Sequence, residues 1–411
     1  MRSVARGLLV ALAAAALAGG ARAADDAALR KKALGLNEIT GKQPLQGQVL
    51  ALLADPTQTR QLLKVAAGMA KEKPQPFNLN ATLVLAATAE DLKDVDASAT
   101  FYKLHAQQGL KLLSGRALST AYAGLIQLYF ENKKYAEAET ACREFLGIKG
   151  DDSIEGLKPT VIRSLVLTLV KKGDAKEANR ILDALIKDLP DNWLNLALRA
   201  QVLRETGRLE ESAKGYLDVI AKVQADKRLE KDEDRNYFVD KYRYLLSGVY
   251  VDLNQIDKAA EQLKALLARE PDNATYNNDL GYIWADHNLN LDESERLVRK
   301  AIEEDRKERR KANPALKPGQ DKDNPAYLDS LGWVLYKQKK YKEAKKYLEE
   351  AAAAEEGKHL EIYDHLGDVN QALGDKAAAV KAWKEGLKLA GPGPRDKQRK
   401  AEVEKKIKAN E

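Results

Sequence analysis

The chain has 411 residues, more than the core of one ordinary domain usually holds. Ala, Leu, Lys and Glu dominate, and Pro (12) and Phe (5) are few, which favours helix over sheet. The formal net charge of +6 would fall to about +3 without Arg2, Arg6 and Arg22, and acids and bases interleave, so charge alone does not argue for nucleic acid.

In chain order, Arg2 and Arg6 precede a short apolar run, Gly7 to Ala18, and Ala21-Arg22-Ala23 has the small-x-small form of a cleavage site. Residues 1–23 are therefore expected to be a secretory signal peptide. The run is shorter than the roughly 20 residues a spanning helix needs. No Cys follows it, so no lipid anchor is expected, and the mature chain should be periplasmic or secreted. Residues 24–77 read as helices without a clean repeat and are expected to cap the N-terminal end.

A repeated frame begins near Asn78. Leu125, Tyr135, Ala138 and Phe145 make one unit; Leu165, Gly173, Ala178, Leu182 and Pro190 make another; Gly207 and Tyr216 mark the next. Residues 221–239 are highly charged and interrupt the frame. It resumes with Leu246-Ser247, Ala259, Leu263 and Pro271. Leu280-Gly281 follows about 34 residues later. The last two units read Leu331-Gly332, Tyr341, Ala344, Leu348, Ala351 and Leu366-Gly367, Gly374, Ala379, Trp383, Gly386. Small residues belong where two helix backbones approach, and the aromatic and Leu positions fill the gaps. Each closing Pro stops a second helix.

These residues resemble the tetratricopeptide repeat family over about Asn78 to Leu389. The likeness is strongest in the last three units, with Gly281-Tyr282, Leu328-Asp329-Ser330-Leu331-Gly332-Trp333 and His365-Leu366-Gly367-Asp368, which look like the C-terminal repeats of exported bacterial members. Ala86 stands where Gly is usual, and Arg199-Ala200 where Leu-Gly is typical. The resemblance implies an all-α fold, a right-handed α-solenoid of antiparallel helix pairs with about seven units. N-terminal units span 78–220 and C-terminal units 240–389. Inside the latter, 304–324 is a basic helix end running into a Pro/Gly loop, either a solvated insertion or a contact for an acidic partner. The tail, 390–411, opens with Gly-Pro-Gly-Pro and is expected to be a loose tail or a final capping helix.

A search for chemistry finds little. The lone Cys142 sits with Ala138 and Phe145 on an apolar helix face and reads as a small buried hydrophobe. His105, His287, His359 and His365 form no zinc-type pattern, and no phosphate-binding loop or nucleophile elbow is present. Asp364, His365 and Asp368 are the best candidate ligand cluster, with a polar groove face as the plainer reading. No metal, cofactor or enzymatic activity is expected.

In this family the first helix of each unit lines a concave groove. Carried onto this sequence, the inward positions are Asn278 and Tyr282, then Ala326, Asp329, Trp333 and Tyr336, then Glu361, Asp364, Asp368 and Gln371. Gln127, Phe130, Arg163, Gln201 and Arg204 belong to earlier units. The partner-binding candidates are thus Asn278, Tyr282, Asp329, Trp333, Tyr336, Asp364 and Asp368. Trp333 and Tyr336 either anchor a partner or pack between units. The acidic and aromatic face suits an extended or helical segment with basic and apolar residues. The expected partners are other proteins or peptide segments. A scaffold of the cell envelope is the leading function, and a structural subunit of an export, assembly or surface-polymer machine is the alternative.

Overall fold

The computed structural model describes residues 25–39, 45–72, 75–150, 152–312, 314, 321–391 and 393–411, so the expected signal segment lies outside it. Among the described residues there are helices and turns and no strand. The chain divides into two compact units, one ending at Thr206 and one beginning at Gly207.

In the first unit, α1 (residues 25–35), α2 (Leu45–Leu53) and α3 (Pro56–Met69) precede the repeats. Then come α4 (Leu79–Asp91), α5 (Val95–Lys111), α6 (Gly115–Glu131), α7 (Tyr135–Gly147), the single turn α8 (Asp152–Glu155), α9 (Lys158–Lys172), α10 (Ala175–Asp188) and α11 (Trp193–Glu205). Leu62, Leu63, Met69, Leu85 and Phe101, almost fully buried, join α3, α4 and α5 into one core. Residues 25–72 are thus part of the packed unit, since α2 lies on α4 and α3 on α5.

The second unit holds α12 (Leu209–Ala225), α13 (Asp232–Asp252), α14 (Ile256–Leu267), α15 (Ala274–Asp286), α16 (Leu291–Ala312), α17 (Pro325–Lys337), α18 (Tyr341–Ala353), α19 (Leu360–Ala372), α20 (Lys376–Lys388) and α21 (Pro394–Asn410). The pairs α13/α14, α15/α16, α17/α18 and α19/α20 are antiparallel hairpins, and the first helices α15, α17 and α19 lie side by side. Small residues permit this closeness. A Cβ on Gly332 would lie 2.5 Å from Leu348, and one on Gly367 only 2.2 Å from the Trp383 indole nitrogen.

One turn recurs throughout. Residues 92–94, 112–114, 132–134 and 373–375 each join two helices. Their central residues are left-handed: Lys93 (φ 58°), Leu113 (49°), Lys133 (58°) and Gly374 (84°). The next N–H closes a bond to the carbonyl five residues back, as in Asp94 to Ala89 (2.8 Å) and Asp375 to Asn370 (3.0 Å), satisfying the helix end. The same Asp then caps the following helix. Asp94 accepts from the Ala97 N–H and Asp375 from the Ala378 N–H.

The charged stretch 221–239 resolves into the end of α12, a short link and the start of α13, whose first turn holds Asp232, Glu233 and Asp234. Carboxylates there suit the helix dipole. The basic end of α16 is neutralised within the chain. Arg306 donates to Asp323 (2.6 Å), and Arg309 and Arg310 donate to Asp321 (2.9 and 2.7 Å). Those arginines are therefore already engaged by carboxylates of the chain. Cys142 is fully buried, and burial pushes its thiol up to about 12.

Asn273 starts α15 by accepting the Tyr276 N–H at 3.1 Å. Asn273→Ala is expected to cost about 1 kcal/mol. The check is the urea midpoint of the second unit, with Asn273→Asp holding close to wild type.

Candidate functional site

The inward stripe of the second unit follows from helix geometry. On α19, Glu361, Asp364, His365 and Asp368 recur at three- and four-residue spacing and share one face. On α17, Asp329, Trp333 and Tyr336 do the same, and on α15 Asn278 and Tyr282. Side-by-side packing of α15, α17 and α19 brings these stripes together.

Burial there is deep. Asp329, Trp333, Asp364 and His365 are 8% exposed or less. Trp333 stacks on His365 with ring centroids 4.0 Å apart and on Tyr336 at 4.9 Å. Its indole N–H donates to Asp286 at 3.0 Å. Trp333 thus packs between neighbouring units, while Tyr336 lies against Trp333 and Tyr341 of its own unit. The Tyr282 hydroxyl donates to Glu361 at 2.6 Å, and His365 Nδ1–H to Asp329 at 2.9 Å. Asn278 is buried, and its Oδ1 has no hydrogen-bond partner.

The last helix, α21, packs on α20 and α19 and turns two cations onto the carboxylates of α19. Arg399 of α21 donates to Glu361 (2.5 Å) and Asp364 (3.1 Å). The Lys406 ammonium donates to Asp364 (2.6 Å) and to both oxygens of Asp368 (2.7 and 2.8 Å). Asp364 and Asp368 therefore share a lysine, and His365 faces Asp329 rather than either of them. Among the described residues, no group of three His, Cys, Asp or Glu side chains is placed to hold a metal.

These charges bias one another. Burial alone would lower the pKa of His365, but Asp329 and Glu361 outweigh it and raise it; Arg399 opposes them. Burial would raise Glu361, but His365 and Arg399 hold it below its ordinary range. For Asp368, burial and the neighbouring Asp364 prevail over Lys406 and raise the carboxyl.

The sign for His365 is fixed. A pKa raised on folding contributes stability that is complete below about 6.5 and is lost as pH rises through the folded value. The stability advantage of wild type over His365→Asn is therefore expected to shrink from about pH 6 to pH 9. Urea midpoints across that range check it; a constant difference would contradict it.

A second concavity lies in the first unit, between α6 and α9. It has a volume of about 390 Å³ and is lined by Tyr122, Ile126, Gln127, Phe130, Val161 and Ser164 among others. Gln127 and Phe130 come from the inward positions of the sequence reading, and Arg163 lies beside Ser164 on α9.

The sequence left 390–411 as a loose tail or a capping helix; what it did not supply was the pairing of that segment's cations with the carboxylates of α19. The signal for the helix itself was present: Arg399, Val403, Lys406, Ile407 and Asn410 recur at helical spacing on a mostly charged segment. Of these, Val403 and Ile407 are buried. No described helix is long and apolar enough to cross a membrane.

Residues 164–227, 244–309 and 326–354 match the tetratricopeptide repeat. A TPR repeat-containing protein of Pseudomonas aeruginosa is 31% identical over 201 residues, 49% of this chain. That match spans 29% of the relative's length. Among solved structures, a tetratricopeptide repeat protein from Parabacteroides merdae is 15% identical and superposes with a TM-score of 0.45, covering 69% of this chain and 98% of that one. A thermophilic TPR protein of Thermus thermophilus is 17% identical with a TM-score of 0.36, covering 51% and 98%.

Proposed function

We propose that the chain, whose residues 164–227, 244–309 and 326–354 match the tetratricopeptide repeat, is a member of that family and a non-catalytic protein-binding scaffold of the bacterial cell envelope, exported by cleavage after Ala23. Repeats of this family generally mediate protein–protein interaction. The observation that carries the reading is the inward face of the second unit, which grips a helix lying outside the repeat pairs through buried carboxylates. The groove between α6 and α9 offers an open counterpart in the first unit. The signal-like segment, with Arg2, Arg6 and Ala21-Arg22-Ala23, supports export.

Two measurements test this. Envelope fractionation with N-terminal sequencing should find a mature chain starting at Ala24. A photo-crosslinker placed at Gln127 or Ser164 should give discrete protein adducts in the native envelope, while one at Lys187 on α10 should not. A cytoplasmic, uncleaved chain would refute the export part. Equal labelling from both faces, or none from the groove, would refute the scaffold part.

A further inference from the structure

We propose that the turn joining α5 to α6 is a membrane-docking tip: Leu110, Leu112 and Leu113 enter the aliphatic layer of a bilayer surface while Lys111 and Arg116 meet its anionic headgroups. The inference concerns lipid and stands apart from the scaffold reading.

Three leucines are exposed within four residues. Leu110 is 45% exposed, Leu112 64% and Leu113 88%. Folding does not account for Leu113. Its φ of 49° lies in the left-handed region, where a bulky side chain is disfavoured. Every other described residue with a positive φ is Lys, Asn or Gly, among them Lys93, Lys133 and Gly374 in the same kind of turn. This one turn therefore carries an apolar side chain that strains the backbone and gains no burial.

Charge points the same way. From 97 to 130, nearly all of α5 and α6, the sequence contains no Asp or Glu, although these make up 62 of the 411 residues. The acids that bound the stretch, Asp96 and Glu131, sit at the far ends of the two helices, more than about 20 Å along the axis from the tip. Lys111 and Arg116 flank the leucines, are exposed, and form no salt bridge among the described residues. Beside the tip, a hollow of about 540 Å³ is lined by Phe77, Leu79, Lys111 and Leu112 among others, which sets apolar wall and a cation side by side.

The composition selects lipid over protein. Protein interfaces draw their binding energy chiefly from Trp, Tyr and Arg, and Leu and Lys are under-represented there. Residues 110–116 contain no aromatic side chain. A bilayer asks for no complementary pocket: aliphatic side chains dissolve in it, and Lys and Arg reach the phosphates from the interface. No described helix is long and apolar enough to cross a membrane, so contact at this turn is peripheral, and three leucines make it reversible.

The probe is an environment-sensitive dye on the full chain, attached through a Leu110→Cys variant. Cys142 is fully buried, with its thiol pushed up to about 12, and stays unlabelled. A Lys133→Cys variant carries the control dye at the other end of α6. Vesicles of phosphatidylcholine with about 30% phosphatidylglycerol should shift the emission to the blue at the tip and not at the control. Adding Leu112→Ser with Leu113→Asn should cut that shift at least about fivefold, as should Lys111→Glu with Arg116→Glu, or vesicles of phosphatidylcholine alone. The urea midpoint of Leu113→Asn should match wild type or rise, because Asn tolerates the left-handed turn. Equal shifts at both dyes, or none at the tip, would overturn the proposal. So would leucine variants that keep the full shift. A tip signal that grows with protein concentration without vesicles would assign the turn to a second copy and overturn the lipid assignment. A larger shift with lipid-free envelope protein than with vesicles would assign it to a protein partner and do the same.

Discussion

Trp383→Ala is expected to destabilise the second unit by about 3–5 kcal/mol, the largest effect of any single change considered. The indole is fully buried. Its N–H donates to the Asp364 carbonyl at 3.2 Å, which ties α20 to α19. Gly367 leaves the space that the ring occupies. Truncation removes the contacts, opens a cavity beside that backbone and takes away the second donor to the Asp364 carbonyl. Gly367→Ala attacks the same contact from the other side. The new methyl would meet a rigid, buried ring, so the cost of about 1–3 kcal/mol from overpacking exceeds the roughly 1 kcal/mol of helix propensity that alanine adds. Both are read from urea unfolding. A loss below about 1 kcal/mol for Trp383→Ala would show that the α19/α20 core does not depend on it.

The second large effect is expected from Asp364→Ala. This carboxylate accepts from Arg399 and Lys406 while its side chain is 4% exposed. Removing one partner of a buried pair costs about 3–5 kcal/mol. Arg399 and Lys406 retain some water and other carboxylates, so about 2–3 kcal/mol is expected here. The two variants should differ in where the loss appears. Trp383→Ala loosens α20 against α19 and also the seat of Val403 and Ile407, whereas Asp364→Ala mainly frees α21. Hydrogen exchange by segment separates them: with Asp364→Ala, amides of 394–410 should lose protection while those of α19 keep theirs. Asp364→Asn, which keeps an acceptor of the same shape, should fall between the variant and wild type.

Much of this architecture was readable in advance because its determinants are local. Gly332 and Gly367 mark the close crossings, and Pro271 and the left-handed turn at Gly374 mark ends. Each lies within a few residues of what it specifies. The N-terminal third was harder for a physical reason. Lys93, Leu113 and Lys133 adopt the left-handed turn without being glycine, so no turn signal shows. The equal links before and after α5 and α6 also give a spacing of one helix instead of a helix pair. The site divided the same way. That Asp364, Asp368 and Glu361 share a face follows from helix periodicity alone. That Arg399 and Lys406 answer them depends on where α21 returns, across more than 30 residues of chain, and periodicity carries nothing about that.

The recurrent turn has a consequence for how this protein can vary in length. At 92–94 and 373–375 three residues close one helix and open the next, with one Asp serving both. A single added residue there would spoil two ends at once and rotate the following helix by about 100°. Chain length is instead free to change where successive helices do not share a terminating residue, as between Asp226 and Lys231. Tags, cleavage sites or inserted domains placed in such links should leave the helices intact, while the shared turns act as rulers that fix the spacing of the scaffold.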